Sequence, residues 1–164
     1  MTTAYAAVAD ERDIPARIRQ LAVRTVVLDV EPLVAHWESG QAALDEGIAA
    51  AVTEVAAIDG VRVLCFATNS ARSPSALPPD PPGLEVRYLV SARKPLHASA
   101  YADLPRPGVV VGDQIATDGI LARRIGYTFL HFLPDPAGQP AGPHLLARCG
   151  AALRPLLFGR ARPG

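Results

Sequence analysis

The feature that most constrains this chain is a recurring unit, a short and nearly continuous apolar run that stops at a polar residue. Thr25-Val26-Val27-Leu28 stops at Asp29, Leu64-Cys65-Phe66-Ala67 at Thr68-Asn69, and Val109-Val110-Val111-Gly112 at Asp113. Runs this short, rich in β-branched residues and without apolar/polar alternation, suit strands covered on both faces, which is the condition of a parallel sheet. Between the first two runs lies Gln41 to Ile58, with Leu44, Ile48, Val52 and Val55 on one helical stripe and Asp59-Gly60 as a stop. A strand, a helix and another strand in repetition imply crossover connections that place helices on both faces of the sheet.

The pattern continues along the chain. Val61 to Ala67 reads as the second strand, the proline-rich Ser73 to Gly83 as an extended surface loop, and Leu84 to Val90 as a third strand. Pro95 to Leu104 reads as a helix with proline in its first turn, and Val109 to Val111 as a fourth strand after Pro107-Gly108. Asp118 to Ile125 is expected to be helical and closed by Gly126, Tyr127 to Leu133 a fifth strand, and Leu145 to Leu157 a final helix interrupted near Pro155. The expected fold is therefore a three-layer α/β/α, Rossmann-like domain with a parallel sheet of about five strands. Residues 1–23 are read as an N-terminal extension with a short helix from Ile14 to Leu21 capped by Asp13, residues 24–158 as the domain, and residues 159–164 as a flexible tail.

A chain of 164 residues has the size of one domain and buries roughly two-thirds of its unfolded surface. Its 16 basic and 16 acidic side chains cancel, so no net field draws it to nucleic acid or an anionic bilayer. No apolar run approaches the ~20 residues that span a bilayer, and no basic stretch precedes an apolar core near Met1, so a cytoplasmic location is expected. Cys65 and Cys149 have neither disulfide-framework nor metal-ligand spacing and read as reduced, buried thiols.

The chemistry sits where the apolar runs end. In an open parallel sheet, ligands bind outside the carboxyl ends of the strands, at the crevice where the chain order reverses, and Asp29, Thr68-Asn69 and Asp113 would converge there. In order, these segments resemble the four motifs of the haloacid-dehalogenase-like (HAD) phosphatases. Gly112-Asp113-Gln114-Ile115-Ala116-Thr117-Asp118, followed by Gly126-Tyr127, is similar to the metal-binding fourth motif; Thr68-Asn69-Ser70 resembles the phosphate-binding second motif and Lys94-Pro95 the third. The nearest branch is the cap-less group that includes bacterial phosphatidylglycerophosphate-phosphatase-like proteins.

The resemblance implies Asp29 as a nucleophile that forms an aspartyl-phosphate. It also implies a Mg²⁺ held by Asp29, Glu31 and Asp113, with Asp118 acting through water, because hard oxygen ligands suit that ion and anion must approach anion. Thr68 and Asn69 would donate to phosphate oxygens and Lys94 would neutralise charge on the phosphoryl group. Taken singly, each residue also has a plain structural reading as a turn residue, helix cap or surface charge.

The first motif departs from the family pattern. It reads Asp29-Val30-Glu31-Pro32-Leu33, with Glu31 where the family has a second Asp, the residue that protonates the leaving oxygen and then deprotonates water. One extra methylene displaces that acid by more than an ångström, a misplacement that can cost about a hundredfold in rate. Two function classes follow: a Mg²⁺-dependent phosphomonoesterase with Glu31 as acid/base, and a HAD-like binding or assembly module that has lost turnover. No cap domain fits between the strands, so the resemblance implies a bulky, lipid-linked, macromolecular or partner-presented phosphate. Trp37, beside His36, either packs on the sheet rim or contacts substrate. His97, His131 and His144 lack zinc spacing and read as surface or satisfied positions, and Arg123-Arg124 as facing solvent or a partner. Leu145, Leu146, Leu153, Leu156, Leu157 and Phe158 of the final helix either dock on the sheet or form a homodimer, partner or membrane-surface contact.

Overall fold

The computed structural model describes residues 4–135 and 141–158. The strands are β1 (Tyr5–Val8), β2 (Thr25–Asp29), β3 (Val63–Ala67), β4 (Glu85–Leu89), β5 (Gly108–Gly112) and β6 (Thr128–Phe132). They form one six-stranded sheet in the order β1-β6-β5-β2-β3-β4, with every pairing parallel. The described α-helices are α1 (Ile14–Leu21), α2 (Gln41–Ala56), α3 (Ile120–Ile125) and α4 (Ala141–Phe158). Among the described residues no helix is long and apolar enough to cross a membrane.

The unbroken apolar runs are explained by burial on both sides. All residues of β2, β3 and β5 are buried, and successive side chains enter different cores. Val26, Leu28, Leu64, Phe66, Val109 and Val111 pack with Ile14 and Ile18 of α1 and with Leu44, Ile48, Val52 and Val55 of α2. Val27, Cys65 and Val110 pack on the opposite face with Leu121, Ala122 and Ile125 of α3, joined by Leu153, Leu157 and Phe158 of α4. The sheet is thus the middle of three layers. The four stripe residues of α2 are each at most 5% exposed, and burial of each contributes about 1.5–3 kcal/mol.

Five strands were expected and six are present. The additional one, β1, lies in the segment read as an N-terminal extension and pairs with β6 at the edge, Tyr5 opposite Phe129 and Val8 opposite Phe132. Pro95 to Leu104 is not an α-helix. It turns through Leu96 and His97 amides bonded to the Arg93 carbonyl and then makes a 3₁₀ turn, Ala98–Tyr101, because the Lys94 backbone is held by a side chain from another loop. The helix expected from Asp118 starts as a π-helical turn, Ile115–Gly119, and becomes α-helical at Ile120. Gly126, at φ 70°, closes α3 as read from the sequence. The final helix continues through Pro155 and is not interrupted there. The Cys149 and His144 side chains and the 159–164 tail lie outside the described residues.

The topology locates the crevice. β2 leads to β3 and β4 on one side, whereas β5 and β6 lie on its other side, so chain order reverses between β2 and β5. In register, Asp29 is level with Ala67 of β3 and Leu28 with Val111 of β5. Asp29, Thr68 and Asp113 therefore emerge together at the carboxyl end of the central strands.

Candidate active site

Asp29 ends β2, Thr68 follows β3 and Asp113 follows β5, and all three are buried at the strand ends. Asp118 is brought to them by the π-helical turn, in which its amide and that of Gly119 bond to the Gln114 carbonyl. Wider than an α-turn, this turn folds the side chain back over the strand end. There is room only because residue 112 is glycine: a Cβ at Gly112 would lie 2.4 Å from Asp118 Cγ. Asp118 Oδ2 accepts from the Gln114 amide and the Thr117 hydroxyl, each at 3.3 Å.

Lys94 Nζ lies 2.7 Å from Asp29 Oδ1 and 2.7 Å from Asp118 Oδ1, with only 2% of its side chain exposed. Burial alone would lower the Lys94 pKa, but the neighbouring carboxylates of Asp118 and Asp29 outweigh it and the net shift is upward, so the ammonium stays charged. Asn69 sets its position. The Asn69 Oδ1 accepts the Lys94 amide at 2.7 Å, and its Nδ2 donates to the Lys94 carbonyl at 3.1 Å.

Asp29, Asp113 and Asp118 each present an oxygen within 4.8 Å of the others. Both Asp113 oxygens are buried and neither accepts a well-formed hydrogen bond. Desolvation, and then the charge of Asp118, push the Asp113 carboxyl up to about 7, against a little lowering by the Asp113 amide and the Gln114 side chain, and the same two causes raise Asp29 well above the ordinary carboxylate range. With these three carboxylates ionised, the cluster carries three negative charges against the one positive charge of Lys94. That imbalance, the all-oxygen donor set and the Asp113 oxygens left without a well-formed hydrogen bond fit a hard divalent cation. Asp29, Asp113 and Asp118 are the residues that would hold it.

Glu31, expected among the metal ligands, is not in this cluster. It is buried on the other side of the cleft, where Oε2 accepts from Thr68 Oγ1 at 2.7 Å and Oε1 from Ser70 Oγ at 3.2 Å. Arg72 Nη1 lies 3.5 Å from the same Oε1. The reason is local: Glu31 has hydroxyl and guanidinium donors within reach, which a buried carboxylate takes in preference to two other carboxylates. Thr68, expected to donate to phosphate, gives its proton to Glu31, and Asn69 spends its amide on the Lys94 backbone. Both therefore act first as supports of charged groups.

Beside this cluster is a cleft of about 260 Å³ lined by Asp29, Glu31, Trp37, Asn69, Ser70, Arg72, Lys94, Gln114 and Thr117. Trp37 thus borders the site, with its ring edge-on to exposed His36 at 5.1 Å between centroids. Arg72 ties the Trp37 segment down, donating to the carbonyls of His36 and Ser39 at 3.0 and 2.9 Å. Sequence reasoning gave no role to Arg72, Gln114 or Thr117. Gln114 and Thr117 stand inside the quoted fourth-motif segment, whereas nothing near Arg72 signals its distant backbone partners. Arg124, read as facing solvent or a partner, donates to the Pro95 carbonyl at 2.8 Å and braces the turn after Lys94. His131 is a satisfied buried histidine, its pKa lowered by desolvation.

A larger hollow, about 380 Å³ beside α1 and α2, is walled chiefly by apolar residues such as Ile18, Leu33 and Val55 and contains none of the strand-end residues. The convergent polar groups make the smaller cleft the candidate active site. No protein-family model matches the chain, and no curated protein or solved structure matches it.

Proposed function

We propose that this chain is a divalent-cation-dependent phosphomonoester hydrolase of the HAD type, with Asp29 as nucleophile. The observation that carries the reading is the buried Asp29–Lys94–Asp118 ion-pair chain at the sheet's switch point, beside an Asp113 carboxylate that accepts no well-formed hydrogen bond. The motif order from Asp29 to Asp118 supports the same reading, with Mg²⁺ as the expected ion. A divalent cation there would neutralise phosphoryl charge and polarise the phosphorus–oxygen bond.

The chain's own residues supply the remaining roles. An Asp29 carboxylate oxygen bonds to phosphorus as the bond to the ester oxygen breaks, giving an acyl phosphate. Lys94, locked by Asn69, holds positive charge next to the attacking group throughout. Glu31 faces the same cleft; on this reading it enters the cycle protonated, gives that proton to the leaving oxygen and takes one back from the attacking water. Attack of that water on phosphorus releases phosphate and regenerates Asp29. The substrate reaches the cleft beside Trp37 and the 69–72 loop, an opening suited to a bulky or partner-presented phosphoryl group.

A second reading, a cation- and phosphate-binding module without turnover, is favoured by one observation: both Glu31 oxygens already accept hydrogen bonds. Phosphate release across a phosphomonoester panel with Mg²⁺ separates the two. Hydrolysis by the wild type, reduced at least about a thousandfold in Asp29→Asn and on the order of a hundredfold in Glu31→Gln, is the result expected of the enzyme. Equal background rates in all three proteins, with Mg²⁺ still bound, would establish the module instead.

A further inference from the structure

The edge strand β1 reaches the acidic cluster through one histidine. Tyr5 Oη lies 2.9 Å from His131 Nδ1, and His131 Nε2 lies 3.0 Å from the backbone carbonyl oxygen of Asp113. A carbonyl only accepts, so Nε2 carries the proton. When the ring is neutral, the form its burial favours, Nδ1 accepts and the Tyr5 hydroxyl donates to it. The next atom along the chain is also occupied, because the Gln114 amide donates to Asp118 Oδ2. The single peptide unit between Asp113 and Gln114 is therefore held at its oxygen by His131 and at its nitrogen by Asp118.

That peptide is the one whose orientation aims the Asp113 carboxylate. No well-formed hydrogen bond fixes that carboxylate; the Asp113 amide and the Gln114 side chain, both on the same short stretch of backbone, are the donors nearest in effect. Its direction rests on the backbone, which His131 holds at the peptide oxygen and Asp118 at the peptide nitrogen. Tyr5 is in turn fixed by packing: its ring lies 5.1 Å from that of Phe158 and 6.0 Å from that of Phe129, with the Arg154 guanidinium 5.6 Å above it. The His131 ring stacks on Phe129 at 5.3 Å.

We infer that Tyr5 and His131 are positioning residues for the cation site, a hydrogen-bonded relay from β1 that orients Asp113 through its own backbone carbonyl. The inference rests on the proposed cation site. It makes β1 and α4 part of the functional unit, although neither contributes a residue to the cleft. Outer groups of this kind typically change metal affinity by about 10- to 100-fold when removed.

The test is Mg²⁺ binding by titration calorimetry, with amide hydrogen exchange at Gln114 read in the absence of the ion, on wild type, Tyr5→Phe, His131→Leu and His131→Gln. The relay predicts about 10- to 100-fold weaker binding in His131→Leu and a smaller loss in the same direction in Tyr5→Phe. It also predicts faster Gln114 exchange in both, and recovery of affinity and protection in His131→Gln, whose amide can donate where Nε2 did. Unchanged binding and unchanged Gln114 exchange in His131→Leu and Tyr5→Phe would overturn the relay while leaving the cation site standing. Equal losses in His131→Leu and His131→Gln, tracking their melting temperatures, would reduce His131 to packing and overturn it as well. A wild-type protein that binds neither Mg²⁺ nor Mn²⁺ removes the cation site itself and the relay with it.

Discussion

The two walls of the cleft are built from similar groups and balanced differently. On one wall Asp29 lines the cleft, and with Asp113 and Asp118 buried behind it faces a single lysine, the Asp113 oxygens accepting no well-formed hydrogen bond. On the other, Glu31 has Thr68, Ser70 and Arg72 around it, one negative charge against one positive with both oxygens occupied. A buried carboxylate costs stability unless it is paired. The Glu31 wall is complete as it stands, whereas the aspartate wall carries an excess of charge that a proton or a bound cation must offset. Binding is therefore expected where the protein is least satisfied by itself.

The excess charge on the aspartate wall makes stability depend on pH. For Asp113 the folded-state pKa of about 7 lies above the ordinary 3.8, so between these values the folded state holds a proton that the unfolded state has released. Stability without a cation therefore falls as pH rises from about 4 to about 7, and Asp29, also raised, acts in the same direction. His131, whose pKa is lowered, acts oppositely just below its ordinary 6.5, so the clean quantity is the difference between wild type and Asp113→Asn. In denaturant unfolding at pH 7 the variant should be more stable by about 1–3 kcal/mol without Mg²⁺, the gap vanishing near pH 4. A variant less stable at pH 7 would mean that the Asp113 carboxylate is not under strain.

A smaller effect is expected on the balanced wall. Arg72→Met removes the tie to His36 and Ser39 and the cation beside Glu31, but leaves the aspartates untouched. Turnover should fall about tenfold, within the range for a displaced acid/base, while Mg²⁺ affinity stays within about twofold of wild type, a change of less than ~0.5 kcal/mol. Equal loss of both would show that the walls are not independent. The smallest effect concerns the hydroxyl of Tyr101, also buried without a hydrogen-bond partner but outside the carboxylate cluster. Because it has no ligand to meet, Tyr101→Phe should be neutral or stabilising by up to about 1 kcal/mol, with Mg²⁺ binding unchanged.

How much of this was legible follows from the range of each interaction. Asp29, Thr68 and Asp113 stood out because a polar residue ended a run buried on both faces, and the two-faced burial of β2, β3 and β5 is what wrote those runs. Lys94 and Asp118 were found only through motif resemblance, and the structure brings both to Asp29. β1 was missed because Tyr5-Ala6-Ala7-Val8 is a short, half-exposed edge strand whose partner starts at Thr128. The helix expected after Lys94 failed because Asn69, remote in sequence, captures that backbone and overrides local propensity. The location of Glu31 could not be read from its motif, since Ser70 and Arg72, which hold it, come from a loop after a different strand.

Whether the aspartate wall holds a cation is read from the melting temperature of the wild-type protein at pH 7 with and without millimolar Mg²⁺, beside Asp113→Asn. A cation site there raises the wild-type melting temperature by several degrees, since the ion binds only the folded state, and leaves that of the variant unchanged. No rise in the wild type, or the same rise in both proteins, would contradict it.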